Sequence, residues 1–497
     1  MKNKEVFSSR WHLIMATLGM AVGTGNIWRF PRMVAQNGGG SFLVPWMIFL
    51  FTWSIPLIIV EFAIGKRSGM GTVGSFSAIV GKGYAWMGAF VGFCTMAIMF
   101  YYSVVTGWCM RYILASGFGM LSSADPASNW DAFASSSWQP LLFHFIAIVS
   151  CSVIVFRGIV GGIEKVIRVI VPLLFLLLIV AAVRALTLPG ASLGLTFLFK
   201  PSVEHLFSYR VWLEALSQSA WSTGAGWGLV LTYAIYSSKR EDVALNSFLT
   251  GLGNNSASLL AAMAVLPTVF SILPYDNAME AISSDNIGLT FKWIPYLFNK
   301  LPLGRFFMTT FFFALTLAAI SSLISMLELS GRIFMDMGLD RRRAITIVTV
   351  AGFLLGIPSA LSMGFFHNQD WVWGIGLLVS GLFFAVSVMS YGPGKFRKEL
   401  INLPGNDMRV GRWFDVMIMY VIPIEFVLMI VWWFTQAVTV YDREGWWNPF
   451  HSTSLGTCLL QWVGMIIVFK LINDFLWDKT FRRIPIQDQV AAERGQV

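Results

Sequence analysis

Apolar runs of about 20 residues, separated by short polar or charged stretches, recur along the whole chain and predict α-helical membrane spans. They fall near 11–33, 41–64, 86–115, 141–157, 165–187, 211–236, 243–272, 305–335, 344–363, 371–391, 416–437 and 454–473, which makes twelve and puts both termini on one side. None shows the alternating ten-residue strands of a β-barrel.

Two of these runs are poor helices. The first carries Gly19, Gly23, Gly25, Asn26 and Arg29 ahead of Pro31. A mid-helix Gly costs about 1 kcal/mol against Ala, and an Arg at mid-bilayer costs about 2.5 to 3.5 kcal/mol. Close helix packing is one use for such glycines. The other is a helix that breaks, with Gly23 and Gly25 freeing backbone carbonyls and N–H groups to line a polar cavity. The sixth run repeats the pattern from Gln218 to Gly228, with glycines at 224, 226 and 228. Interrupted spans at matching positions point to two five-helix halves of opposite orientation with a site between them at mid-membrane. The expected architecture is therefore an all-α integral membrane protein with a five-plus-five inverted repeat. Residues 1–236 hold helices 1–5 and the broken sixth, 237–393 the rest of the second repeat, and 394–497 helices 11 and 12 with a tail.

Composition agrees: of 497 residues 56% are hydrophobic and 12% charged, with mean hydropathy +0.68. The net charge of +9 suggests nucleic acid until the charges are placed. Lys66, Arg67, Lys82, Arg157, Lys165, Arg168, Lys239, Arg240, Arg341 to Arg343, Lys395, Arg397, Lys398, Arg409, Arg412, Arg482 and Arg483 all fall on the side of Lys2, Lys4 and Arg10. That side reads as cytoplasmic, in the plasma (bacterial inner) membrane. The segment after Arg10 carries Arg29 and lacks a small-residue cleavage site, so it reads as a retained span. Cys94, Cys109, Cys151 and Cys458 lie within apolar runs and read as core. No zinc motif, nucleophile elbow or paired intramembrane carboxylate supports an enzyme.

Gly25-Asn26-Ile27-Trp28-Arg29-Phe30-Pro31, followed by Asn37-Gly38-Gly39-Gly40, resembles the signature of the neurotransmitter:sodium symporter family. The resemblance continues through Glu61, Tyr101-Tyr102-Ser103, the broken sixth span, Ser321-Ser322 and Glu328. It implies sodium-driven import of an amino acid or amine by alternating access. The first sodium site it implies uses the Ala21 carbonyl, Asn26, Ser222 and Asn254, with Asn255 as the alternative register. The second uses the Gly19, Val22 and Ala318 carbonyls with the Ser321 and Ser322 hydroxyls. The implied substrate pocket is formed by Gly23, Thr24, Gly25, Ile98, Tyr102, Trp221, Ser222, Gly224, Trp227, Ser322 and Met326.

No Asp stands at Gly23, where the family's monoamine carriers have one, which favours a zwitterionic amino acid. Trp221 and Trp227 replace the usual Phe, and Gly224 opens space where relatives carry Ser. This suits a flat hydrophobic or aromatic side chain, unless the indoles only fill volume. Arg29 and Asp370 match the outer gate. Asp336 matches the inner gate acid, with Lys4 or Arg10 as partner, and Phe7 stands where Trp is common. Ser258 replaces a bacterial carboxylate. Trp46, Gln218, Ser222, Asn254 and Ser258 then resemble the chloride cage of animal members, leaving chloride dependence open. Rival readings are an aromatic-amine carrier and a non-transporting sensor. Spans 11 and 12 are candidates for a homodimer surface.

Overall fold

A computed structural model describes residues 5–121 and 125–481. The first span is α1 (Arg10–Ala21) and α2 (Phe30–Gln36), separated by the break and a wide turn at Gly25–Arg29. Helices α3 (Gly40–Ser68), α4 (Lys82–Gly117), α5 (Gln139–Phe156) and α6 (Ile159–Leu186) complete the first half. The second half opens on another broken span, α7 (Tyr209–Ser222) and α8 (Leu229–Ala234). It continues through α9 (Val243–Ile272), α10 (Gly304–Asp336), α11 (Arg341–Leu361) and α12 (Met363–Tyr391). Beyond the repeat lie α13 (Trp413–Tyr441) and a last span bent by 59° between α14 (Leu455–Leu471) and α15 (Asn473–Phe481). Among the described residues nine helices are long and apolar enough to cross a membrane unaided. The two broken spans fall outside that number because neither half-helix is long enough.

Burial sorts the helices into an interior and a rim. The most apolar stretch of α10 is 89% buried and that of α4 83%, against 28% for α13. Equal hydropathy thus serves two environments: α4 and α10 pack against protein, while α13 turns its apolar surface to lipid.

Among the span starts, that of the tenth differs most from the sequence reading. The tenth span begins at Met363, not near 371, because Ser362 caps it by accepting from the Phe365 N–H at 3.3 Å. The polar stretch His367 to Asp370 looked like a loop but is helical. Its Asn368 Nδ2 donates to the Ser452 carbonyl at 3.0 Å and Thr457 Oγ1 at 3.1 Å, so its polarity is met by the start of α14.

Candidate functional site

The first break falls at Val22, whose ψ of 87° leaves the helix. Asn26 holds the broken end: its Oδ1 accepts from the Gly23 N–H at 2.9 Å. Gly23 is required by space, since a Cβ there would stand 2.9 Å from Ser322 Oγ and 3.1 Å from the Tyr102 hydroxyl. The second break needs glycine for its backbone: Gly224, Gly226 and Gly228 have φ of +72°, +87° and +80°. Glu61, fully buried on α3, accepts from the Gly226 N–H at 2.7 Å and the Leu231 N–H at 3.2 Å, satisfying amides that the break frees.

Between the two breaks oxygen ligands converge. Asn26 Nδ2 donates to Asn254 Oδ1 at 2.8 Å and to Ser258 Oγ at 2.7 Å. The Asn254 amide also stands 3.1 Å from the Ala21 carbonyl oxygen and 2.9 Å from that of Ser222. Asn254, not Asn255, therefore faces the first break. The Ala21 and Ser222 carbonyls, the Asn254 amide and the Ser258 hydroxyl thus bring together hard oxygens of the kind that suits an alkali cation. Nearby, Ser322 Oγ donates to the Met20 carbonyl at 3.2 Å and Ser321 Oγ to the Ala318 carbonyl at 3.0 Å. A Cβ on Gly19 would lie 3.4 Å from Ser321 Cβ, so α10 presents both hydroxyls to α1.

A cavity opens where the breaks meet, lined by Gly23, Gly25, Tyr102, Trp221, Ser222, Gly224, Trp227, Ser322 and Met326 as the sequence suggests, and also by Met20 and Leu229. Thr24 and Ile98 are not on its wall. Thr24 faces outward and binds the Tyr102 oxygen through its N–H and hydroxyl, both at 3.2 Å; Ile98 is buried in α4. The space expected at Gly224 is filled: a Cβ there would lie 2.7 Å from Met20 Sδ. The Trp221 and Trp227 rings meet edge to face at 5.5 Å. No ionisable acid or base lines this cavity apart from the Tyr102 phenol.

Two buried polar side chains, Trp46 packed on Phe30 and Gln218 one turn before Ser222, lack partners. Trp46 Nε1 and both polar atoms of the Gln218 amide make no hydrogen bond, although Trp46 is only 2% exposed and Gln218 fully buried. Orphaned buried donors are costly and call for an acceptor.

The gates depart from expectation. Arg29 and Asp370 both line an outer vestibule of about 500 Å³, but they are not paired. Arg29 donates to Ser217 Oγ at 3.1 Å and lies over the Trp221 ring at 5.5 Å, while Asp370 accepts from the Tyr101 hydroxyl at 3.1 Å. Trp221 lines both vestibule and inner cavity and so stands between them. On the basic side Asp336 does not meet Arg10. It pairs with Arg332 one turn earlier at 2.8 Å and accepts from the Gly71 N–H. Arg10 pairs instead with Glu241 at 3.2 Å and Asp407 at 2.9 Å. Lys4 lies outside the described residues. Phe7 is buried edge-on against Tyr233, and its N–H donates to the Tyr236 carbonyl at 3.0 Å.

A family model described as the sodium:neurotransmitter symporter family matches residues 4–136 and 121–476. The chain belongs to that family. It is a sodium-dependent symporter, not an enzyme. An uncharacterized sodium-dependent transporter of Methanocaldococcus jannaschii is 31% identical over 85% of this chain and 88% of its own length. A mouse sodium- and chloride-dependent GABA transporter 2 is 24% identical over 81% and 75%. A solved structure of MhsT in complex with L-phenylalanine superposes with a TM-score of 0.77 at 29% identity, covering 86% of this chain and 99% of that one.

Two residues of this symporter escaped the sequence reading. Arg341, counted there only as a topology charge, grips the fully buried Glu328 with two nitrogens at 2.7 and 3.0 Å, and Tyr236 donates to the same carboxylate at 2.6 Å. Met20 was passed over as one more apolar residue of the first span. Its position next to the break was the available signal.

Proposed function

We propose that this symporter imports a neutral, apolar amino acid together with sodium, by alternating access between the vestibule and the basic side, which we read as cytoplasmic. The observation that carries the reading is the cavity between the breaks: apolar and aromatic walls, one phenol, no ionised side chain. A zwitterion fits such a place because its two charges find backbone and cation partners, whereas a net-charged ligand is left uncompensated. Sodium held by Ala21, Asn26, Ser222 and Asn254 faces the carboxylate, with the Gly25 N–H and Tyr102 hydroxyl beside it. The ammonium takes carbonyls of the second break. A second sodium is held by the carbonyls of Gly19, Val22 and Ala318 with Ser321 and Ser322. The phenylalanine bound by MhsT supports an amino acid over an amine. Each net positive charge entering a negative interior contributes about 2.3 kcal/mol per 100 mV to accumulation.

The unpartnered Trp46 Nε1 and Gln218 Nε2 donors support a chloride ion, held with Ser222, Asn254 and Ser258, as the missing negative partner of the first sodium. Uptake of labelled leucine or phenylalanine into proteoliposomes tests both parts. Uptake that requires an inward sodium gradient and falls when gluconate replaces chloride is expected. Uptake in potassium alone removes the symport reading, and indifference to chloride in wild type and Trp46→Phe alike removes the anion.

A further inference from the structure

Beyond the family-wide pocket, one residue of this chain sets its size. Gly224 removes a side chain from the wall of the cavity, but the volume released does not go to a ligand. Met20, at the end of α1, reaches into it. A Cβ at 224 would stand 2.7 Å from the Met20 sulfur and 3.5 Å from its methyl carbon, and the left-handed φ of +72° adds backbone strain to any side chain there. Met20 is itself 3% exposed, and its backbone carbonyl accepts from Ser322 Oγ, so the residue is anchored while its thioether occupies the notch.

What remains is small, about 30 Å³ for the centres of water-sized molecules. One water needs about 10 to 15 Å³ by that measure, so any amino acid enters only as the walls give way, and the walls that can yield set its size. The other walls cannot yield much. Trp227 is 4% exposed and its carbonyl is bound by Thr95 Oγ1 at 2.6 Å, and Trp221 leans on Gly25 and Gly374, where an added Cβ would stand 3.7 and 2.9 Å from its ring. Met20 and Met326 are the unbranched, adaptable members of the lining. Of these two, Met20 alone plugs a notch cut by a glycine.

We infer that Met20 is a specificity-determining residue: its thioether, seated against Gly224, limits the transported amino acid to a side chain no larger than a single phenyl ring and excludes an indole. This rests on the amino-acid reading above and narrows it. Met20 acts by size, through van der Waals contact, and takes no part in binding the carboxylate, ammonium or sodium. Shortening it opens a subsite continuous with the space at Gly224, wide enough for an indole.

The test is competition of unlabelled leucine, phenylalanine and tryptophan against labelled leucine on the purified full-length protein in sodium chloride, for wild type, Met20→Ala and Met20→Val. Wild type is expected to prefer leucine to tryptophan. Met20→Ala is expected to move the tryptophan-to-leucine ratio by about tenfold or more toward tryptophan, the scale on which a few methylene-sized groups discriminate in an apolar pocket. Met20→Val, which keeps a smaller apolar side chain, is expected to shift the ratio in the same direction by less, and carries the test if the Ala variant does not fold. Tryptophan binding wild type as tightly as leucine overturns the inference, as does an unchanged ratio in the folded variants. Thermal unfolding of wild type separates the two levels. Stabilisation by no amino acid in sodium defeats the amino-acid reading, whereas stabilisation by leucine with an unchanged variant ratio defeats only the role of Met20.

Discussion

On the basic side Glu328 and Arg341 meet as a buried fork at 2.7 and 3.0 Å, whereas on the opposite side Arg29 and Asp370 share a vestibule of about 500 Å³ without touching. The residue types are nearly the same, but their partners differ: fully buried Glu328 is held by Arg341, whereas Arg29 and Asp370, both partly buried, bond Ser217 and Tyr101 instead of each other. On the basic side the fork and the Tyr236 hydroxyl tie α10 and α11 to the end of the second broken span. A vestibule thus stands above Trp221 while the described residues on the basic side are tied together, and the proposed import requires the two sides to exchange these conditions.

The largest effect comes from breaking the closed side. Arg341→Ala leaves the Glu328 carboxylate buried without its cation, and losing one partner of such a pair costs about 3 to 5 kcal/mol. Thermal unfolding is expected to show that loss, and labelled-substrate uptake to fall with it. Replacing both partners, Glu328→Leu with Arg341→Met, is expected to recover most of the stability and little of the transport. Next is Glu61→Gln. The amide keeps one acceptor oxygen and turns a donor toward the Gly226 or Leu231 N–H, so about 2 kcal/mol is lost at the second break. Sodium-dependent stabilisation is expected to weaken with it.

At the open side the expected order reverses. Asp370→Asn is expected to change the melting temperature little, because no ion pair is present to lose, and to lower the uptake rate strongly, because closure needs one. Equal losses in stability and uptake would show that the pair is already made. The smallest effect belongs to Asp340, which caps α11 just ahead of Arg341 by accepting from the Arg343 N–H at 3.0 Å. That bond holds its carboxyl below the ordinary 3.8, so the stabilisation is present above the unfolded value and lost as pH falls through the lower folded one. Asp340→Ala is expected to lower stability slightly at neutral pH, with the difference from wild type vanishing in strong acid.

Much of this was legible in the sequence because the responsible residues are expensive. Three alternating glycines at 224 to 228 and a Gly–Asn–Arg cluster in the first span have no place in a plain membrane helix, so both breaks could be read before any fold was known. Glu61 was legible for the same reason. What was not legible is pairing. Arg341 sits in a run of three arginines that topology alone explains, and nothing in the sequence says which one turns inward. Asp336 was matched to distant Lys4 or Arg10, although Arg332 four residues earlier is the nearer partner on a helix face. Met20 carried no signal of cost, since an apolar residue in an apolar span is unremarked until the fold puts a glycine opposite it.

The central claim is that two broken helices form one site for sodium and a neutral apolar amino acid. Its most direct test is thermal unfolding of the purified protein in sodium or potassium chloride, with leucine, phenylalanine or tryptamine added, since a ligand of the folded state raises the melting point by mass action. The account predicts stabilisation by leucine or phenylalanine in sodium only. Stabilisation by tryptamine but neither amino acid, or amino-acid stabilisation of equal size in potassium, would contradict it.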